Sequence, residues 1–73
     1  MAHKVIYDAL IKKYEANIAD ATAKITILMT DTRIIPEHID VTGEIDKLLG
    51  KIEEAESRMA ILQRVYCINE AVN

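Results

Sequence analysis

Apolar residues recur along this chain in two long runs whose steps alternate between four and three. The first run is Tyr7, Ile11, Tyr14, Ile18, Ala21, Ile25 and Leu28, extending toward Ile35. The second is Ile45, Leu48, Ile52, Ala55, Met59, Leu62 and Tyr66, ending on Asn69. Steps that average about 3.5 keep a stripe on one side of a helix, and that is the repeat of a left-handed coiled coil. Pro36 falls between the runs and excludes the helical conformation for the residue before it. The pattern therefore predicts a helix over about 5–33, a turn over about 34–42 and a helix over about 43–71, in one helical-hairpin domain spanning 1–73.

Local signals agree with this division. Ala2, Ala9, Ala16, Ala19, Ala21 and Ala23 add helix propensity, and residues 1–4 are expected to be frayed. Asp8–Lys12, Asp20–Lys24 and Glu54–Arg58 are acid-before-base pairs four apart, each worth a few tenths of a kcal/mol on a helix surface. Lys24–Ile35 is rich in β-branched residues and reads as a strand by propensity alone. However, Ile25, Leu28 and Thr32 stay in phase with the run, and a lone strand would leave its backbone groups unpaired, so helix is the expectation. Pro36-Glu37 suits the start of a short helical turn. Asp40 or Thr42 can cap the second helix, and Gly43 sits in its first turn, where flexibility costs least. Gly50 faces outward within the helix, at a cost of about 1 kcal/mol relative to Ala; it is readable as a point where another chain comes close.

So short a connection makes the helices antiparallel neighbours. Two registers fit the runs. One sets Tyr14 against Tyr66 and Ile18 against Leu62; the other sets Tyr7 against Tyr66 and Ile11 against Leu62. The first places each Ala opposite a large residue and is preferred. Either way the tyrosines gather at the end that carries the termini.

A second apolar stripe lies beside the first at that same end. Ile61, Val65, Ile68 and Val72 form it on the second helix, and Ile6 and Leu10 occupy the corresponding flank of the first. Toward the turn the flank becomes polar, with Lys13, Asn17, Asp20 and Lys24 on one helix and Lys47, Lys51, Glu54 and Arg58 on the other. Two helices cannot bury two faces between them, and an exposed apolar patch of this kind marks an interface. Ile6, Leu10, Ile61, Val65, Ile68 and Val72 are thus the candidate interface residues.

Composition narrows the function more than it identifies it. At 73 residues a single core is marginal, and the lone Cys67 cannot form an internal disulfide to reinforce it. A net charge of -3, with no run of Lys or Arg, argues against general nucleic-acid binding. No stretch approaches the roughly 20 apolar residues of a membrane span, and no signal-peptide pattern appears, so the cytoplasm is the expected location. His3, His38 and Cys67 show no paired ligand spacing, and neither a metal nor a cofactor is expected. Glu53, Glu54 and Glu56 read as a solvated acidic face rather than an acid–base pair. Ser57 has no His within helical reach, and the two glycines make no phosphate loop. The three tyrosines read as core residues at seam spacing, and Thr22, Thr26 and Thr30 as a narrow outer ridge. Asn69 on the seam is readable as a frayed end or as a buried amide that specifies register.

The expectation is an all-α, two-helix antiparallel coiled-coil hairpin that dimerises into a four-helix bundle. Its function would be a non-enzymatic protein–protein interaction as adaptor, assembly or regulatory factor. Its partners would be a second copy of itself and one further protein. The alternative is a small inhibitor that binds and masks one cellular enzyme.

Overall fold

A computed structural model describes residues 2–30 and 40–72, with side chains from 3–30 and 40–69. It is an all-helical hairpin of α1 (Ala2–Thr30) and α2 (Val41–Val72) lying side by side, 56 Å long and 16 by 15 Å across. Among the described residues there is no strand. The Pro36 break, Ile35 and His38 lie outside them, as do the last five residues of the ambiguous Lys24–Ile35 stretch. Its first seven residues are helical.

The reason these β-branched residues tolerate a helix is visible in their hydrogen bonds. The Thr26 hydroxyl donates to the Thr22 carbonyl at 2.9 Å, and the Thr30 hydroxyl donates to the Thr26 carbonyl at 2.6 Å. Each threonine thereby satisfies its donor on its own helix. Meanwhile Ile25 and Leu28 are half-buried against α2, and burial of that seam outweighs the local preference for extended backbone.

α2 starts at Val41, two residues before the sequence signals suggest, because Asp40 is its N-cap. The Asp40 carboxylate accepts the Gly43 backbone N–H at 3.1 Å and the Thr42 hydroxyl at 2.9 Å, and its carbonyl accepts the Glu44 N–H at 2.9 Å. These bonds favour the ionised form, so the Asp40 pKa lies below its ordinary value, the Gly43 N–H contributing most. Gly43 permits this closure, since a Cβ there would collide with the Asp40 carboxylate. α1 likewise begins earlier than expected, at Ala2, and the Lys4 ammonium reaches Asp8 at 3.3 Å. Asp8 is therefore paired with Lys4 and not with Lys12. The Asp20–Lys24 and Glu54–Arg58 pairs are present at 3.0 and 2.8 Å.

Every described seam position from Tyr7 to Leu28 and from Ile45 to Tyr66 is buried or half-buried. Asn69 is the exception. It is exposed in the single hairpin, so it forms no buried amide between α1 and α2. The register is the second of the two considered: the Tyr7 and Tyr66 rings approach to 4.1 Å between centroids. Carried along the seam, this alignment sets Ile11 opposite Leu62, Tyr14 opposite Met59, Ile18 opposite Ala55, Ala21 opposite Ile52, Ile25 opposite Leu48 and Leu28 opposite Ile45. All seven layers are apolar on both sides, whereas the Tyr14–Tyr66 alignment would set Ile11 against Asn69 and Leu48 against Thr32 and leave Tyr7 without a seam partner. Each Ala still faces a large residue, so the criterion that favoured the other register does not separate the two.

The core is thin. Only Ala21, Leu48 and Ala55 are fully enclosed among the described residues, and no large side chain is completely buried. The chain exposes 5757 Å², against about 4,500 Å² for a compact monomer of its mass.

Candidate interaction face

The two helices present matching flanks on one side of the hairpin because, in an antiparallel pair, residues just outside the seam on one helix adjoin their counterparts on the other. At the terminal end this flank is apolar. Ile6, Leu10, Val65 and the edge of Leu62 line a shallow groove of about 150 Å³, with Tyr7 and Tyr66 at its floor and His3 and Asn69 at its rim. Ile6 is 61% exposed, Ile61 46%, Val65 46% and Ile68 57%, so the patch is open to water. Leu10 is half-buried. Of the six candidate interface residues, Ile6, Leu10 and Val65 line the groove, Ile61 and Ile68 are exposed a turn to either side of Val65 on α2, and Val72 falls on the last turn of α2, beyond the described side chains.

Further along the same flank the groove widens to about 290 Å³ and becomes polar. Lys13, Tyr14, Asn17, Asp20, Lys51, Glu54, Ala55 and Arg58 surround it. Tyr14 belongs here rather than with Tyr7 and Tyr66. Two carboxylates are already engaged, Asp20 by Lys24 and Glu54 by Arg58. Among the described residues Lys13 and Lys51 make no ion pair, and both point cations into the groove. Among the described side chains of α1 and α2 on this flank, five cations (Lys13, Lys24, Lys47, Lys51, Arg58) stand against three carboxylates (Asp20, Glu44, Glu54), a net charge of +2 on a chain of net -3, with the Asp40 cap one further carboxylate at the turn end.

The opposite flank is its counterpart. Among the described side chains, Asp8, Glu15, Asp46, Glu53 and Glu56 stand there against Lys12, a net charge of -4. Met29 and Leu49 are exposed on this side near the turn. The free thiol of Cys67 is exposed on it as well.

Two features of the face escape a reading based on apolar spacing. His3 lies among the first four residues, expected to fray, yet it precedes Leu10 by seven residues and so shares its side of the helix; its ring lies 6.0 Å from that of Tyr66. The sign of charge on each flank is also written in the heptad positions, but it becomes visible only when both flanks are tallied together. Among the described residues no group of three or more His, Cys, Asp or Glu is placed to hold a metal ion, and no helix is long and apolar enough to cross a membrane. No protein-family model, curated protein or solved structure matches the chain.

Proposed function

We propose that this hairpin is a non-enzymatic protein–protein interaction module that works through its grooved flank and does so as a homo-oligomer. In this reading the helices wind as a two-stranded coiled coil, and a second hairpin covers the exposed flank to complete a bundle of four helices. The observation that carries it is the terminal end, where Ile6 and Val65 of the groove and Ile61 and Ile68 beside it stay open to water, while among the described residues the interior encloses only Ala21, Leu48 and Ala55. A core so small supplies roughly 3–5 kcal/mol at most, so further apolar burial between chains is the available source of stability. The exposed thiol of Cys67 suits a reducing compartment such as the cytoplasm.

The test is sedimentation or light scattering of the wild type beside Val65→Asp/Ile68→Asp. Both substitutions are on exposed helical positions, so far-UV circular dichroism should retain its helical signature while association weakens by about a hundredfold or more, the effect of desolvating two carboxylates in an apolar contact. A wild type that stays monomeric at 100 μM (an assay concentration of about that order suffices for interfaces of standard size) overturns self-association. The masking of one enzyme would then be the reading that uses the same face.

A further inference from the structure

The occupant of the groove can be specified from the two flanks themselves, on the premise that the hairpin self-associates. Three ways of covering the groove with a second copy are geometrically available. In the first, two terminal ends overlap about a two-fold axis across the hairpin. Only the apolar third of each molecule is then covered, about 300 Å² of its 56 by 16 Å side, well below the roughly 800 Å² per partner of a stable interface. In the second, two grooved flanks meet along their full length about an axis parallel to the helices. The area suffices, at about 900 Å², but it lays Lys13, Lys51 and Arg58 against the same residues of the other copy, a contact of +2 on +2. Like charges brought together this way oppose association.

The third arrangement sets the grooved flank of one copy on the acidic back of the next. We propose that this chain associates face-to-back, with neighbouring hairpins antiparallel. The area is again that of the full side, and the charges are now opposite, +2 against -4. The antiparallel sense follows from the apolar ends. Aligned so that Ile6, Leu10 and Val65 cover Met29 and Leu49 of the neighbour, the hairpins bring Lys13 and Arg58 to the level of Glu53 and Glu56, while Lys51 falls between Lys12 and Glu15. A parallel alignment would instead place the apolar groove over Asp8, Lys12 and Gln63. Because this contact joins two different surfaces, each added copy still offers one free groove and one free back. The antiparallel step is a half turn about the stacking direction combined with a translation along it, so assembly continues past the dimer into an open filament.

The wild type and two variants decide the matter. Val65→Asp/Ile68→Asp disables the groove, and Glu15→Lys/Glu53→Lys/Glu56→Lys disables the back; all five positions are exposed. Face-to-back association predicts that each variant is monomeric alone and that an equimolar mixture forms a one-to-one dimer, a single sound groove on a single sound back. It also predicts that raising salt from 50 to 500 mM weakens wild-type association about tenfold or more, since exposed charges are screened over that range, a readout that needs no variant to fold. A back variant that associates as the wild type does, or wild-type association that tightens with salt, overturns the face-to-back contact and leaves self-association through the groove standing. A wild type that is monomeric at every salt concentration overturns both.

Discussion

The terminal third of the hairpin and the part nearer the turn share one seam and differ in what flanks it. Near the turn, the seam residues Ile25, Leu48 and Ala55 are bordered by Lys24, Lys47, Lys51 and Glu54, which keep the flank wetted. Near the termini the same seam is bordered by Ile6, Leu10, Ile61 and Val65, and nothing polar separates them from the rings of Tyr7 and Tyr66. On the proposed reading, folding and association are carried by different positions of one repeat. The seam brings α1 and α2 together along their whole length; the flank decides which part of the surface stays apolar and open to water.

The strongest way to break this distinction is to truncate one residue of each kind. Leu48 is 7% exposed, and Leu48→Ala should cost about 2–5 kcal/mol, enough to abolish most of the helical circular dichroism and with it any association. Ile61→Ala, at 46% exposure, should leave the thermal transition of the isolated hairpin within about 0.5 kcal/mol of wild type and weaken association alone. Loss of helix in Ile61→Ala would show that the flank contributes to folding and that the division is false.

A smaller effect probes the outer surface near the turn. Nothing lies within 4 Å of a Cβ built on Gly50, so Gly50→Ala should stabilise the hairpin by about 1 kcal/mol in denaturant unfolding. Its association should be unchanged, because Gly50 belongs to neither flank. Weakened association would mean that another chain does approach at Gly50.

The smallest expected change lies at the start of α2. The folded pKa of Asp40 is lowered by the Gly43 and Thr42 bonds, so its capping contribution is fully present above the unfolded value, near 3.8, and is lost as the pH falls through the lower folded value. An acid titration of the helical signal should therefore show a component below pH 3.8 that Asp40→Asn removes, while Asp40→Asn keeps much of the cap at neutral pH because an amide oxygen also accepts the Gly43 N–H. A titration identical in the two proteins would place the acid sensitivity elsewhere.

Much of the fold was legible in the residues, and the failures have identifiable physics. The four-three steps located all fourteen seam positions from Tyr7 to Leu28 and from Ile45 to Tyr66, because burial follows side-chain phase and phase is readable. The size of the residue opposite each Ala does not distinguish the registers, because it is a local criterion that both alignments satisfy. The number of layers apolar on both sides, a global one, separates them. Asp40 and Thr42 were indistinguishable as caps until the backbone showed that Gly43 lets the Asp40 carboxylate fold over it. The apolar half of the interaction face was readable as a second stripe at Ile61, Val65 and Ile68. Its electrostatic half was not, since sign on a flank is a property of two helices added together and Lys51 and Lys13 are far apart in the chain.

The stacked rings at the open end have an optical consequence. The chain contains three tyrosines and neither tryptophan nor phenylalanine, so its near-ultraviolet signal belongs to those three chromophores alone. Two of them, Tyr7 and Tyr66, sit 4.1 Å apart and form the floor of the groove, while Tyr14 stands apart among charged neighbours. Chiral coupling between the close pair makes the tyrosine band a built-in gauge of whether the terminal end is zipped, and Tyr7→Leu supplies its blank. The same band should move when the groove is filled, so an unlabelled sample reports its own occupancy.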